Sequence, residues 1–375
     1  MDPADRPHRP PLSERAVSAI TVGAAGFLSR CFLYLPNRTE TSGLNRFLCL
    51  LDARYTERER QRGLITVSNH VSVLDDPLIW GVLPFWYHWH PENMRWSLGS
   101  YDICFQNGQS GVLSKFFTYG HTLPTQRIAH SDFGGLFQPT ITQTIRLLSD
   151  PYGVRPIPSP KDRLQVPVPD PFSSSELTYS TNGTDCFSAP AAYPSRRFSW
   201  VHIFPEGRIH QHPGHLMRYF KWGIARLILE AEPCPDVVPM WIEGPELIMS
   251  EDRRWPRFVP RTGKDVHVTF GEPIDRDVVL EPLRTRWREL KRKAGATLTH
   301  SQSTSKESDS LGELTDPFLR SSPEAEELRI DVTLAVRNEV LRLRRERGWP
   351  DEDPKNGVAS TYQHEGPRRD YGQNL

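Results

Sequence analysis

The stretch at 64–77, LITVSNHVSVLDDP, constrains the fold more than any other part of the chain. Its first residues are apolar, β-branched or small, which is strand chemistry. Asp76-Pro77 reads as a helix N-cap followed by proline at the first helical position. His70 then belongs to the loop between a strand and a helix, with Asp75 at the start of that helix. On one continuous helix this offset would turn the two side chains about 140° apart. A strand–loop–helix turn instead lets the carboxylate fold back onto the imidazole. Such a pair has a chemical use. Histidine accepts a proton from a hydroxyl near neutral pH, and a carboxylate on its other nitrogen fixes the tautomer and stabilises the imidazolium. The plainer alternative is a capping aspartate beside an ordinary loop histidine.

A second strand, SWVHIF at 199–204, runs into Pro205-Glu206-Gly207-Arg208. Glycine there lets the backbone approach a ligand closely. The planar fork of Arg208 suits a phosphate. The alternative is a surface turn with an ordinary Glu206–Arg208 ion pair. Further strands are expected at 237–242 (VVPMWI) and 266–270 (VHVTF). Helices are expected at 136–148, at 216–231 with an apolar stripe, and at 283–293. The alternation argues for an α/β core with a mostly parallel sheet flanked by helices.

Around that core the composition changes. The 34 prolines point to inserts with little structure of their own. Residues 1–14 are expected to be disordered, as are insertions at 150–197 and 295–322 and a tail at 349–375. These stretches hold too little apolar surface to offset ordering entropy. One domain is thus expected from 15–149 and 198–294, with a long charged helix at 323–348. The run at 16–35 is apolar apart from Arg30 and a few hydroxyls, and is about long enough to span a bilayer. Arg30 and the small residues favour a helix lying in one leaflet, with a core helix as the alternative. The aromatic run PLIWGVLPFWYHWH at 77–90 is expected to be a helix broken near Pro84. It would be a second interfacial anchor, since tryptophan and tyrosine suit a boundary that is apolar on one side and wet on the other.

Formal net charge is zero, so global charge gives no reason to expect nucleic acid as a partner. The five cysteines include no CxxC pair, which argues against a zinc site or a disulfide framework. Acidic residues in the first fourteen positions interrupt the positive region a cleaved secretory signal needs.

Four blocks in order carry a resemblance: NHVSVLDD at 69–76, FFTYGHTLPTQR at 116–127, FPEGR at 204–208 and VVPMWIEG at 237–244. This set resembles the glycerolipid acyltransferase family, and within it the branch that exchanges acyl chains between phospholipids and remodels cardiolipin. The resemblance spans roughly 15–149 and 198–290. It implies the acyltransferase α/β fold, with His70 as general base and Asp75 as its orienter. Glu206, Gly207 and Arg208 would hold the substrate phosphate, assisted by Arg127. No cofactor is implied. The implied substrates are phosphatidylcholine, monolysocardiolipin and cardiolipin. The implied location is mitochondrial membranes, facing the intermembrane space, and an oligomer is left open. Arg208 stands where that branch usually carries lysine. The second block ends in Pro124-Thr125-Gln126-Arg127 where a valine–cysteine-rich run ending in arginine is expected. An acyl-CoA-dependent lysophospholipid acyltransferase and an inactive membrane-binding scaffold are the competing readings.

Overall fold

The computed structural model describes residues 9–106, 111–150, 177–298 and 311–362. Its strands are β1 Arg38–Ser42, β2 Leu64–Val67, β3 Trp96–Ser100, β4 Thr122–Thr125, β5 Thr178–Tyr179, β6 Phe187–Ser188, β7 Trp200–Ile203, β8 Asp236–Glu243 and β9 Asp265–Phe270. Seven of them form one sheet in the order β1-β9-β8-β2-β7-β3-β4, while β5 and β6 make a separate antiparallel pair. Every contact in the large sheet is parallel except β8 with β9. The expected mostly parallel sheet is therefore present. All four positions of β2 and of β7 are buried, as strands covered on both faces must be.

The α-helices are α1 Leu12–Tyr34, α2 Leu44–Asp52, α3 Asp75–Leu78, α4 Tyr101–Cys104, α5 Val112–Tyr119, α6 Pro139–Leu148, α7 Gly223–Glu230, α8 Pro245–Ile248, α9 Glu281–Leu298, α10 Pro317–Ser321 and α11 Pro323–Glu346. They lie on both sides of the sheet and divide the interior in two. One core gathers residues of α6, α7, α9 and α11 over β7 and β8. The other gathers α1, α2 and the 78–83 segment over β8 and β9. Leu33 of α1 is fully buried in the second core, which contributes roughly 2 kcal/mol. Arg30 sits in the same helix without penalty, because its guanidinium donates to the carbonyls of Gly81 (3.1 Å) and Leu83 (3.0 Å). The outer face of α1 stays uncovered: Leu12, Ile20, Phe27 and Leu28 are exposed.

Register explains how distant blocks meet. Val67 pairs with Ile203, so β2 and β7 end side by side and release the 68–70 and 204–208 loops at the same edge. Ser100 pairs with Thr125, which brings the ends of β3 and β4 to that edge too. Ligands of open α/β sheets bind at the carboxyl ends of strands, and this edge is of that kind.

Several expectations are corrected. The 77–90 run is not one broken helix. Only α3 is helical, followed by 3₁₀ turns at Ile79–Val82 and Phe85–Trp89 that pack against α1. Asp76 is not an N-cap: its backbone is extended (φ −108°, ψ 120°) and its carboxylate pairs with Arg95. The 216–231 helix begins only at Gly223, because the N–H groups of Met217 and Arg218 donate to the carboxylates of Glu352 (2.6 Å) and Glu206 (2.9 Å). Residues 12–14, expected to be disordered, belong to α1, which starts at Leu12.

The expected insertions and tail are also partly ordered. Asp185 holds the turn at 180–185 through Ser180 and the Thr181 N–H, and Phe187 packs on Phe105 (ring centroids 5.6 Å apart). Leu314 and Leu319 are buried, which orders 311–322. Trp349 donates to Glu243 (2.7 Å), and the Arg337–Glu352 pair (2.6 Å) lies almost fully buried, which holds the chain past the end of α11. In each case one or two buried side chains outweigh a polar average. The remaining parts of those expectations, at 1–8, 151–176, 299–310 and 363–375, lie outside the described residues.

Candidate functional site

The 68–75 loop is closed by one carboxylate oxygen. Asp75 Oδ2 accepts from His70 Nδ1 (2.8 Å) and from the N–H groups of Val71 (2.7 Å) and Ser72 (2.9 Å). Asp75 is fully buried, and its other oxygen has no partner. Asn69 fastens the loop from beneath, donating to the Ile242 carbonyl (2.8 Å) and accepting from the Ile242 N–H (2.9 Å) on β8. The His70 ring stacks on Phe204 (centroids 4.2 Å apart) and keeps about a fifth of its side-chain surface open. With Nδ1 committed to Asp75, Nε2 is the nitrogen left for a ligand.

His70 forms part of the shared wall of two cavities. The larger, of about 730 Å³, also holds Arg127, Gly207, Arg208 and Lys221. The smaller, of about 230 Å³, is lined by apolar side chains such as Val22, Ile103, Phe116 and Phe117, and α1 forms one of its sides. Val73, Ser100, Ile103 and Phe204 border both.

The larger cavity is apolar over most of its lining and carries a cluster of cations. Arg208 reaches it without a hydrogen-bond partner among the described residues. Lys221 lies over Gly207, which has φ +64°; a Cβ at that glycine would stand 2.6 Å from Lys221 Nζ. Burial lowers the Lys221 pKa, and the neighbouring charges of Arg127, Arg208 and Arg218 lower it further. Cations brought this close attract an anion. Arg127 faces the same cavity with its guanidinium held by Asp102 (Nε to Oδ1, 3.0 Å).

His70 and Asp75 are thus brought together, and Gly207, Arg208 and Arg127 share a cavity with His70. Glu206 is placed differently, and its expected role in holding phosphate is corrected. Its side chain is buried behind the loop, where Oε1 accepts from the His70 N–H (2.8 Å) and Oε2 from the Arg218 N–H (2.9 Å). Burial pushes its pKa up to about 8, against the pull of those two N–H groups. The glutamate braces the histidine loop against the 215–222 segment and lines neither of the two cavities.

Neither Lys221 nor Ser100 belongs to the set that the sequence motifs single out. Lys221 belongs to the run expected to be helical from 216 to 231, but the helix starts after it. Arg226, in the same run, is a buried partner of Glu230 (2.6 Å). Ser100 closes a short strand and carries no motif.

The chain matches no protein-family model. It is 37% identical to tafazzin of Saccharomyces cerevisiae over 324 residues, 83% of this chain and 74% of the yeast protein. It is 31% identical to N-acylphosphatidylethanolamine synthase of Arabidopsis thaliana over 217 residues, 57% of each. The crystal structure of the 1-acyl-sn-glycerophosphate acyltransferase of Thermotoga maritima aligns at a TM-score of 0.38 and 15% identity, covering 77% of this chain and 83% of that one. An imidazole between an apolar and a cationic chamber suits a substrate with a fatty chain at one end and a phosphate at the other. With the yeast and Arabidopsis relatives, it makes the chain a phospholipid acyltransferase. Within that class, likeness to the yeast protein over most of both chains is decisive: the chain belongs to the tafazzin family.

Proposed function

We propose that the protein is a CoA-independent transacylase that moves an acyl chain from a phospholipid such as phosphatidylcholine to a lysophospholipid, with monolysocardiolipin as acceptor and cardiolipin as product. One observation carries the reading. His70 stands where a chamber fit for a fatty chain meets a chamber fit for a phosphate.

In this mechanism Arg208 and Lys221, with Arg127 beside them, hold the acceptor phosphate, and Gly207 allows the close approach. His70 Nε2 takes the proton of the lysolipid hydroxyl, which an alcohol must lose to become a useful nucleophile. The oxygen attacks the donor ester carbonyl. The bond between the acyl carbon and the donor oxygen breaks, and the imidazolium returns the proton to that leaving oxygen. One ester is broken and one formed, so neither water nor an activated thioester is needed. Asp75 keeps the tautomer with the proton on Nδ1 and offsets the charge that develops on the ring. The Ser100 hydroxyl, bordering both chambers, supplies a hydrogen bond to the ester oxygen as it gains charge.

Both lipids reach the site from a bilayer. The exposed apolar face of α1, together with exposed Phe85, Trp86 and Trp89, supports a monotopic seat in one leaflet. The membrane is a mitochondrial one facing the intermembrane space, a placement that rests on the family and is tested by fractionation and protease protection. The deciding experiment incubates purified protein with acyl-labelled phosphatidylcholine and monolysocardiolipin without CoA. Label appearing in cardiolipin is expected. Label reaching cardiolipin only from acyl-CoA would replace the proposal with a thioester-dependent acyltransferase, whose CoA phosphates the same cations would serve.

A further inference from the structure

The 251–264 loop, between α8 and β9, has a composition unlike the rest of the chain. It reads EDRRWPRFVPRTGK, five basic residues against two acidic, in a protein of zero net charge. Its apolar side chains point outward: Trp255 is 84% exposed and Phe258 68%. Arg253 donates to the Ser250 carbonyl (2.7 Å), Arg257 to the Glu251 carbonyl (2.9 Å), and Arg261 to the Arg254 carbonyl. These bonds hold the guanidiniums in place.

The loop is also fixed at both ends. Near its start, Glu251 N–H donates to Gln211 (2.8 Å), and Gln211 donates to the Val71 carbonyl (2.7 Å) next to His70. Glu251 itself borders the cationic cavity. At its end, Gly263 N–H donates to the Pro36 carbonyl (2.7 Å), two residues past α1. The patch therefore bridges the cavity mouth and the end of the apolar helix.

We propose that this loop recognises an anionic bilayer surface, its arginines meeting lipid phosphates while Trp255 and Phe258 enter the headgroup layer. Arginines interleaved with exposed aromatic rings complement a surface that is negative outside and apolar beneath. The inference rests on the bilayer-facing reading given above. It adds a preference: the enzyme settles with its cavity mouth against membranes rich in anionic lipid.

The test is co-sedimentation with vesicles of phosphatidylcholine alone and of phosphatidylcholine with phosphatidylglycerol, an anionic lipid that is not the acceptor. Replacing Arg254→Gln with Arg261→Gln should weaken binding to the phosphatidylglycerol vesicles about thirtyfold. Binding to neutral vesicles, and acyl exchange in detergent micelles, should be unchanged. The pair Trp255→Ser with Phe258→Ser should weaken binding to both vesicles. If both loop variants sediment like wild type, the proposal is overturned while the bilayer reading stands. If wild type sediments with neither vesicle, both fall. Equal, loop-dependent binding to a duplex oligonucleotide would overturn the lipid assignment in favour of polyanions at large.

Discussion

Replacing Asp75 by asparagine separates its charge from its role in holding the loop. All three donors converge on Oδ2, and Oδ1 has no partner. An asparagine therefore seats its carbonyl oxygen toward the three donors, because turning the amide nitrogen that way would set donor against donor. The tautomer of His70 survives. The cost is a buried amide N–H at the partnerless site, about 1–3 kcal/mol of stability. The catalytic cost is the lost attraction between carboxylate and imidazolium. With charge centres about 4 Å apart and an effective dielectric near 20, that is roughly 4 kcal/mol. In the transition state this corresponds to a loss of about three decades in rate. The assay is the initial rate of CoA-free acyl exchange at saturating lipid, with a thermal melt of each variant. Asp75→Asn should fold, bind vesicles and lose about 10³-fold in kcat, with KM little changed. His70→Ala should abolish exchange and keep vesicle binding. An asparagine variant that keeps its rate within about threefold would show that the charge is idle and refute the argument from electrostatics.

Three further outcomes are expected. Lys221→Met should raise the KM for lysolipid more than tenfold, about 1.4 kcal/mol of binding, while kcat changes less, because the ammonium is assigned to the phosphate and not to the reacting ester. Glu206 titrates in the folded protein near 8, above its ordinary value of 4.5, so the folded state keeps a proton the unfolded chain has released. Stability from this group is full below the unfolded pKa and falls as pH rises toward 8, so melting temperatures across that window should decline in wild type and less steeply in Glu206→Gln. A Cβ on Gly26 would stand 2.3 Å from the buried His88 ring, so Gly26→Ala should push α1 off the 85–89 turn. A melt lowered by roughly 1–3 kcal/mol of stability and weaker vesicle binding are the readouts.

Which parts of this could be read from the sequence has a physical pattern. The His70–Asp75 turn was legible because a strand, a loop histidine and a helix-start aspartate are all local signals. The centre of the sheet was legible for a similar reason, since β2, β7 and β8 are short apolar runs with few other places to go; the flanking β1, β3 and β4 carry no such signal. What escaped depends on partners far along the chain. Lys221 sits in a run with helical periodicity, and distant partners, among them the carboxylates of Glu206 and Glu352 that take the N–H groups of Arg218 and Met217, keep that run from coiling. Glu206 was assigned to the phosphate because the resemblance carries the whole 204–208 block to that role; that it turns inward depends on the register of β7 against β2. Residues 177–197 and 311–322 were averaged as polar, and the few side chains that anchor them, Phe187, Leu314 and Leu319, were lost in the average.

Glu352 extends the reach of the site well beyond the four recognised blocks. It accepts from Met217 with one oxygen and from Arg337 with the other, and so ties the run that carries Lys221 to the far end of the chain. A premature stop codon anywhere between the last block and this glutamate would leave a message in which every diagnostic motif is intact. The polypeptide it encodes would still be recognised as a member of its family, and its phosphate grip would be slack.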